Sequence, residues 1–290
     1  MQFWINVVVL ASTYALLAAG YVLIYRASRV LNLAHGELMM LAAYLAFSIA
    51  TVLPKQSLAV IPLTLLLAAL IGVGIYYLFI RPMAGRPLFS AVLVTVAMGI
   101  VIQGLVVLVW TPRVQYLAVL LDIVNQSHQL APGGAISTLD IASIVVALAL
   151  FAALAAFFRY TRIGLLMRAA AENPLLLAQR GIDFHRLYAI AWGLAIGTAA
   201  VAGVLYTTTN RLEGTVALIG LKAFPVALVG GLGSLAGALP AALLVALAEV
   251  TAIQYVDPLL SNVAPFVVLL AALLLRPWGL FGTPEELERV

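Results

Sequence analysis

The sequence predicts an all-α integral membrane protein with about eight transmembrane helices, some of them broken or re-entrant. Hydrophobic residues make up 65% of the chain and charged residues only 9%, whereas a soluble domain is about half apolar and a quarter charged. The apolar residues also form runs of the roughly 20 residues that a helix needs to cross the hydrocarbon core. Strand-like alternation of the kind found in membrane barrels is absent. The whole chain, residues 1–290, is therefore predicted to form a single transmembrane domain.

The apolar runs predict spans near residues 3–25, 30–53, 58–80, 88–110, 139–158, 188–208, 222–250 and 259–275. Polar breaks at 54–57 and 81–87 and a longer loop at 111–138 separate them. The first run has no basic region before it and no convincing small-residue cleavage site, so we expect a retained span and not a removed signal peptide.

Basic residues predict the orientation, because cytoplasmic loops carry an excess of arginine and lysine. With the N-terminus outside, the inner loops hold Arg26, Arg29, Arg81, Arg86, Arg159, Arg162, Arg168, Arg180 and Arg186, and the outer loops hold Lys55, Arg113, Arg211 and Lys222. We therefore expect a multi-pass membrane protein with an external N-terminus. Eight crossings would leave the C-terminal tail outside, although Arg276, Glu285, Glu286, Glu288 and Arg289 are typical of a cytosolic end.

The segment 222–250 has two possible structures. It contains the helix-weakening residues Pro225, Gly230, Gly231, Gly233, Gly237 and Pro240. It could form a re-entrant hairpin or two half-helices, which are tolerated at membrane depth where protein or a water-filled cavity covers the backbone. It could equally form one continuous helix whose glycines allow close packing.

Several classes of chemistry are excluded by what the sequence lacks. It has no cysteine, which rules out disulfides, iron–sulfur clusters and thiolate zinc sites. Its three histidines are far apart and form no metal motif, and no P-loop, H-E-x-x-H or G-x-S-x-G sequence is present. We expect no catalytic residues, no metal site and no cofactor on this chain. The net charge of +4 reflects the inner loops, so no nucleic-acid partner is predicted.

Three polar residues, Asn32, His35 and Glu37, begin the second span. At 100° per residue Asn32 and His35 share a helix face, while Glu37 points nearly opposite. We interpret all three as partly hydrated residues at the cytoplasmic interface, with Arg26 or Arg29 as partners of Glu37.

Gln103 and Glu249 are further polar residues at membrane depth. Such groups usually face the bundle interior or a cavity. The expectation is that Gln103 bonds to a neighbouring helix and that Glu249 pairs with a basic residue at the interface.

The segment 159–187 carries five of the fifteen lysines and arginines, so it must lie in water on the cytoplasmic side. Within it, Asn173 is a suitable N-cap, Pro174 suits the first helical position and Gly181 can end the helix in a left-handed conformation. We predict a short helix at 174–180, outside the bilayer, that docks a cytosolic partner. On the other side, the loop 111–138 is either a surface for an external partner or a plain connection.

Four stretches carry a family resemblance: residues 30–46 (VLNLAHGELMMLAAYLA), 159–183, the glycine-rich 224–249, and 273–282 (LLLRPWGLFG). In this order, over essentially the whole chain, they resemble the permease subunits of ATP-driven importers for branched-chain amino acids, specifically the H-type of the two paired leucine/isoleucine/valine permeases. The resemblance implies alternating access in the bilayer, a second permease subunit, two cytosolic ABC ATPases that bind ATP and Mg²⁺, and an extracytoplasmic amino-acid-binding protein.

The resemblance also implies roles for residues. Importers of this kind insert a cytosolic loop with an E-A-A…G pattern into the ATPase, and the nearest equivalents here, Ala170, Ala171, Glu172 and Gly181, stand in a different order. The coupling candidates are Ala171, Glu172, Asn173, Pro174, Leu176, Arg180 and Gly181. The candidates for the translocation path are Asn32, His35, Glu37, Gln103, Gly230, Gly231, Gly233 and Glu249.

Other functions remain open at this point. Within the importer family the substrate could be urea, a short amide or another amino acid. A secondary transporter would be expected to have repeated halves, which the sequence lacks. A channel would need a filter, for which the glycines at 230–237 are weak support. A structural membrane protein fits the arginine-rich loop but not the glycine-broken spans.

Overall fold

The computed structural model describes residues 1–53 and 59–282, and confirms the all-α fold class. The predicted break at 54–57 with Lys55, and the tail residues Glu285, Glu286, Glu288 and Arg289, lie outside the described residues. The helices are α1 (Gln2–Ser28), α2 (His35–Val52), α3 (Val60–Ile75), α4 (Leu88–Trp110), α5 (Leu117–Leu120), α6 (Thr138–Tyr160), α7 (Arg162–Glu172), α8 (Pro174–Gln179), α9 (Phe184–Thr209), α10 (Val216–Gly230), α11 (Leu235–Tyr255) and α12 (Ala264–Leu275).

Seven helical segments in the described ranges are long and apolar enough to cross a membrane. They are α1, α2, α4, α6, α9, α11 and the segment Val60–Met83, in which a π-helical turn (Tyr76–Ile80) and a 3₁₀ turn (Arg81–Met83) extend α3. The apolar helices α10 and α12 are shorter, and a 3₁₀ turn (Pro258–Asn262) precedes α12.

Helices α1 and α9 form the centre of the bundle. In their most apolar stretches 78% and 72% of the residues are buried, compared with 28% in α4 and in α6. Helix α1 packs against α9, α10, α11 and α6. Apolar side chains on α4, such as Ile100 and Leu108, are exposed, so this helix presents its surface to lipid or to another protein.

The segment 222–250 is split into two helices at residues 231–234, as the broken-helix interpretation predicted. Helix α10 ends before Gly231, whose φ of 95° suits glycine. Helix α11 then begins with Ser234 as its N-cap, whose hydroxyl accepts a hydrogen bond from Gly237 N. The prolines do not form the break, because Pro225 and Pro240 lie inside α10 and α11.

This split removes the conflict over the C-terminal tail. At one end of α11, the ring of Tyr255 lies 6.0 Å from that of Phe3 at the start of the chain. At the other end, Leu280 N donates to Val229 O over 2.8 Å. The two ends of the described chain therefore lie at opposite ends of α11, as an additional crossing by α10 requires.

The loop 111–138 is partly ordered. Besides α5 it contains an antiparallel hairpin of β1 (Ser127–Ala131) and β2 (Gly134–Ser137). Ala135 N donates to the Gln2 side chain over 2.9 Å, so the hairpin lies on the same face of the bundle as the N-terminus. Ser137 and Asp140 then form a capping box that starts α6.

Candidate functional site

A buried ion pair links α10 and α11 at one side of the central helix α1. Lys222 Nζ lies 2.8 Å from Glu249 Oε1 and donates a second hydrogen bond, also of 2.8 Å, to Ser261 Oγ. The Tyr14 hydroxyl donates to Glu249 Oε2. Lys222 and Glu249 are 6% and 3% exposed. Each carboxylate oxygen of Glu249 therefore has a donor, as a buried charge requires.

The structure corrects the expected place of Lys222 and of Glu249. Lys222 was expected in an outer loop, but α10 begins six residues earlier, at Val216, which carries the lysine into the bundle. Glu249 does pair with a basic residue, as expected, but both members of the pair are buried inside the helix bundle. The signal that could have identified Lys222 is its apolar context, LIGLKAFPVAL, since an ionisable residue inside a span usually has a partner.

The ion pair lines a cavity of about 580 Å³, within the range of roughly 300–1,000 Å³ typical of small-molecule sites. Its lining is mixed: the aliphatic side chains are those of Val9, Leu10, Leu205, Ile219, Val250 and Ile253, and the polar side chains of Thr13, Ser143, Tyr206 and Thr209 line it as well. Its polar rim includes Asn6, Asn125, Ser137, Asp140 and Asn210. These rim residues come from the face that carries the N-terminus and the hairpin, so the cavity lies toward that face.

A second cleft, of about 450 Å³, brings together two of the predicted path residues. Glu37 of α2 and Gln103 of α4 line it with Tyr44 and Glu213. Among its described lining residues there are two carboxylates and no basic side chain. Gln103 is exposed, so this cleft is open toward the surface of α4.

Asn32 and His35 are not at a wet interface, which corrects the earlier interpretation. The second span begins at His35 and not near residue 30, so Asn32 lies in the connection that precedes α2. This connection folds into the bundle: Asn32 is 1% exposed, His35 is fully buried, and the His35 ring lies 4.6 Å from that of Tyr21. Within the described ranges, the Asn32 amide nitrogen and both His35 ring nitrogens have no hydrogen-bond partner.

The remaining path candidates, Gly230, Gly231 and Gly233, lie at the turn between α10 and α11. Phe281 N donates to Gly230 O, so the end of the described chain packs on this turn. The turn is at the opposite end of α11 from Tyr255. The structure therefore separates the path candidates into the cleft, the ion-pair cavity, the buried connection and this turn.

The segment 159–187 has the predicted cap geometry. Asn173, with φ −151°, separates α7 from α8, and its Oδ1 accepts a hydrogen bond from Leu176 N over 3.0 Å. Pro174 is the first residue of α8, and Gly181 follows the helix with a φ of 75°. The short helix predicted at 174–180 is thus confirmed, within one residue, as Pro174–Gln179.

Helix α7 is attached to the bundle, and α8 buries Leu177 in the core but exposes its other side. The Tyr188 hydroxyl donates to Ala170 O over 3.3 Å, and Arg29 lies 3.5 Å from Ala171 O. Leu176 on α8 is 54% exposed. Of the coupling candidates, Glu172, Asn173, Leu176, Arg180 and Gly181 are exposed, and Ala171 and Pro174 are half-buried.

The profile of the family described as branched-chain amino acid transport system, permease component, matches residues 3–273. The chain belongs to this permease family. The permease is 32% identical to the high-affinity branched-chain amino acid transport system permease protein LivH of Salmonella typhimurium, over 98% of this chain and 96% of that relative.

Two further relatives have similar coverage. The permease is 31% identical to the high-affinity branched-chain amino acid transport system permease protein BraD of Pseudomonas aeruginosa, over 98% of this chain and 96% of the relative. It is 25% identical to a probable branched-chain amino acid transport permease protein, LivH, of Methanocaldococcus jannaschii, over 98% and 93%. No solved structure matches the chain significantly. With seven candidate spans, the permease is a multi-pass membrane protein and a component of a transport system.

Proposed function

We propose that the chain is the membrane-spanning subunit of an ATP-driven (ABC) importer that moves branched-chain amino acids across the bacterial inner membrane by alternating access. The observation that carries this proposal is the match to permease proteins of branched-chain amino acid transport systems over almost the whole of both chains. A branched-chain amino acid is a zwitterion with an aliphatic side chain, and the cavity of about 580 Å³ combines a buried ion pair with aliphatic side chains in its lining, which suits such a molecule.

The proposal includes an arrangement in the membrane. The chain forms a single permease domain with its N-terminus outside, and the loop 111–138 with its hairpin faces an extracytoplasmic amino-acid-binding protein. A second permease subunit completes the path, and the open cleft lined by Glu37 and Gln103 is the surface that it covers. Support for this comes from the exposed apolar side chains of α4 beside that cleft.

Energy comes from two cytosolic ATPases, which hold ATP and Mg²⁺; this chain holds no cofactor of its own. Closure of the ATPases moves the segment 159–187, and the helices rearrange as rigid bodies around the substrate path. The feature that supports this role is α8, a capped helix at the surface of the bundle that exposes Leu176.

Reconstitution tests the transport function directly. The chain is placed in proteoliposomes with a second permease, ATPases and a binding protein of such an importer from the same organism, and ATP-dependent uptake of leucine, isoleucine and valine is measured against urea and acetamide. We expect saturable uptake of the three amino acids that stops without ATP. Uptake that continues without the ATPases would contradict the importer proposal.

Cysteine cross-linking tests the docking of α8. The sequence has no cysteine, so Leu176→Cys introduces a single reactive thiol. The matched control is Leu165→Cys on α7, because Leu165 is 57% exposed and Leu176 is 54% exposed. We expect an adduct with the ATPase from position 176; an adduct from position 165 and none from 176 would move the interface to α7.

A further inference from the structure

The Lys222–Glu249 pair combines two features that a purely structural ion pair does not need. Both side chains line the cavity of about 580 Å³, although both are almost completely buried. An ammonium group has three N–H donors, and among the described residues Glu249 and Ser261 accept two of those of Lys222. One donor therefore remains for a molecule that enters the cavity.

The charges of the pair match those of an α-amino acid. When a carboxylate and an ammonium group enter together, the carboxylate can pair with Lys222 and the ammonium with Glu249. One buried ion pair is then replaced by two, and no buried charge is left without a partner at either stage, which is the condition that makes buried charges tolerable. The Ser261 and Tyr14 hydroxyls keep each protein charge oriented during the exchange.

The aliphatic residues nearest the ion pair indicate the rest of the ligand. Ile219 lies three residues from Lys222 on α10, and Val250 and Ile253 follow Glu249 on α11, so aliphatic surface adjoins both charges. A ligand that places its two charges on the ion pair therefore places the substituent of its α-carbon against branched aliphatic side chains. Burying such a substituent against them is favourable.

We propose that the Lys222–Glu249 pair is a binding site for a zwitterionic α-amino acid with an aliphatic side chain, contained within this one chain. The ligand carboxylate pairs with Lys222, the ligand ammonium pairs with Glu249, and the side chain packs against Ile219, Val250 and Ile253. The inference rests on the proposed function for the identity of the ligand. It goes beyond that function because it assigns the recognition of both charges to one subunit, apart from the cleft that a second permease would cover.

Equilibrium binding to the purified full chain in lipid nanodiscs tests the assignment. The probe is radiolabelled L-leucine, with leucinamide and 4-methylpentanoate as competitors, because each keeps the aliphatic side chain and lacks one of the two charges. We expect each analogue to compete at least about tenfold more weakly than leucine, the ratio that corresponds to a lost charge-assisted hydrogen bond.

The variants Lys222→Gln and Glu249→Gln are expected to weaken leucine binding by a similar factor or more. The matched control is Arg113→Gln, because Arg113 is exposed and lies outside the cavity; this variant is expected to leave leucine binding unchanged.

A double variant keeps the test decisive where single variants unfold. Lys222→Met with Glu249→Met removes both charges together and leaves no lone buried charge, so it is expected to fold, as a thermal unfolding curve would verify, and to lose leucine binding. A folded double variant that binds leucine as the wild type does would overturn the proposal, as would a wild-type chain without saturable leucine binding.

Transport assays separate this proposal from the importer function. If ATP-driven leucine uptake occurs equally in the wild type and in the double variant, the importer function is supported and the proposed binding site is refuted. If the nanodisc experiments give the expected losses of binding but uptake does not depend on ATP, the binding site is supported and the ATP-driven importer function is refuted.

Discussion

Replacing Gly220 by alanine tests the crossing of α2 and α10, where the two backbones touch. A Cβ atom added at Gly220 would collide with Gly36 Cα and lie 2.9 Å from Gly36 N. A Cβ added at Gly36 would collide with Ala217 O. Because the obstacles are backbone atoms, no side chain can rotate to make room.

The size of the effect follows from two opposing contributions. Overpacking of a core costs about 1–3 kcal/mol, and contact with backbone places Gly220→Ala in the upper half of that range. Alanine is a better helix former than glycine by about 1 kcal/mol. The expected net loss of about 1–2 kcal/mol corresponds to a decrease in Tm of about 2–8 °C.

Differential scanning fluorimetry of the detergent-purified chain measures this decrease. The matched control is Gly104→Ala in α4, since no heavy atom lies within 4 Å of the added Cβ there. The control has only the helix-forming contribution, so its Tm is expected to stay the same or rise. If Gly220→Ala melts at the same temperature as Gly104→Ala or above it, the backbone contact does not limit the crossing.

Three further substitutions test other contacts. Asn173→Ala removes the cap on α8, which costs about 1 kcal/mol; we expect weaker cross-linking from Leu176→Cys, restored by Asn173→Asp. Trp110→Phe removes the 2.6 Å hydrogen bond that Nε1 donates to Ser48 Oγ between α4 and α2. We expect this loss to lower the free energy of unfolding by about 1 kcal/mol, and a Tm equal to that of the wild type would contradict this expectation. Gly181→Ala places a side chain at φ 75° with no atom nearby, so backbone strain of about 1 kcal/mol should disorder the end of α8; faster proteolysis at this site than in wild type is the expected result.

The short helix α8 could be predicted because its determinants are local. Asn173, Pro174 and Gly181 act through the backbone within a few residues of themselves. The break in 222–250 was only half predictable: the glycines at 230–233 do form the turn, but Pro225 and Pro240 remain inside helices. A proline weakens a helix locally, and packing of α10 and α11 against their neighbours overrides it.

The Lys222–Glu249 cavity could not be predicted because its parts are distant in sequence. A seventh span predicted at 222–250 leaves Lys222 in the loop before it. The periodicity of one helix also does not show which residues of a neighbouring helix its side chains will contact. The same holds for Asn32 and His35, which helical periodicity put on one face although Asn32 precedes the helix.

The amino-acid sequence by itself determined that this protein lies in a membrane, where most of its spans are and how α8 begins and ends, because composition, run length and cap chemistry act over at most about 20 residues. Only the tertiary structure decided that Lys222 meets Glu249, 27 positions away, and that Tyr14 reaches the same carboxylate from 235 positions away. Buried charges must find partners wherever the packed helices bring them, and that packing depends on the whole bundle.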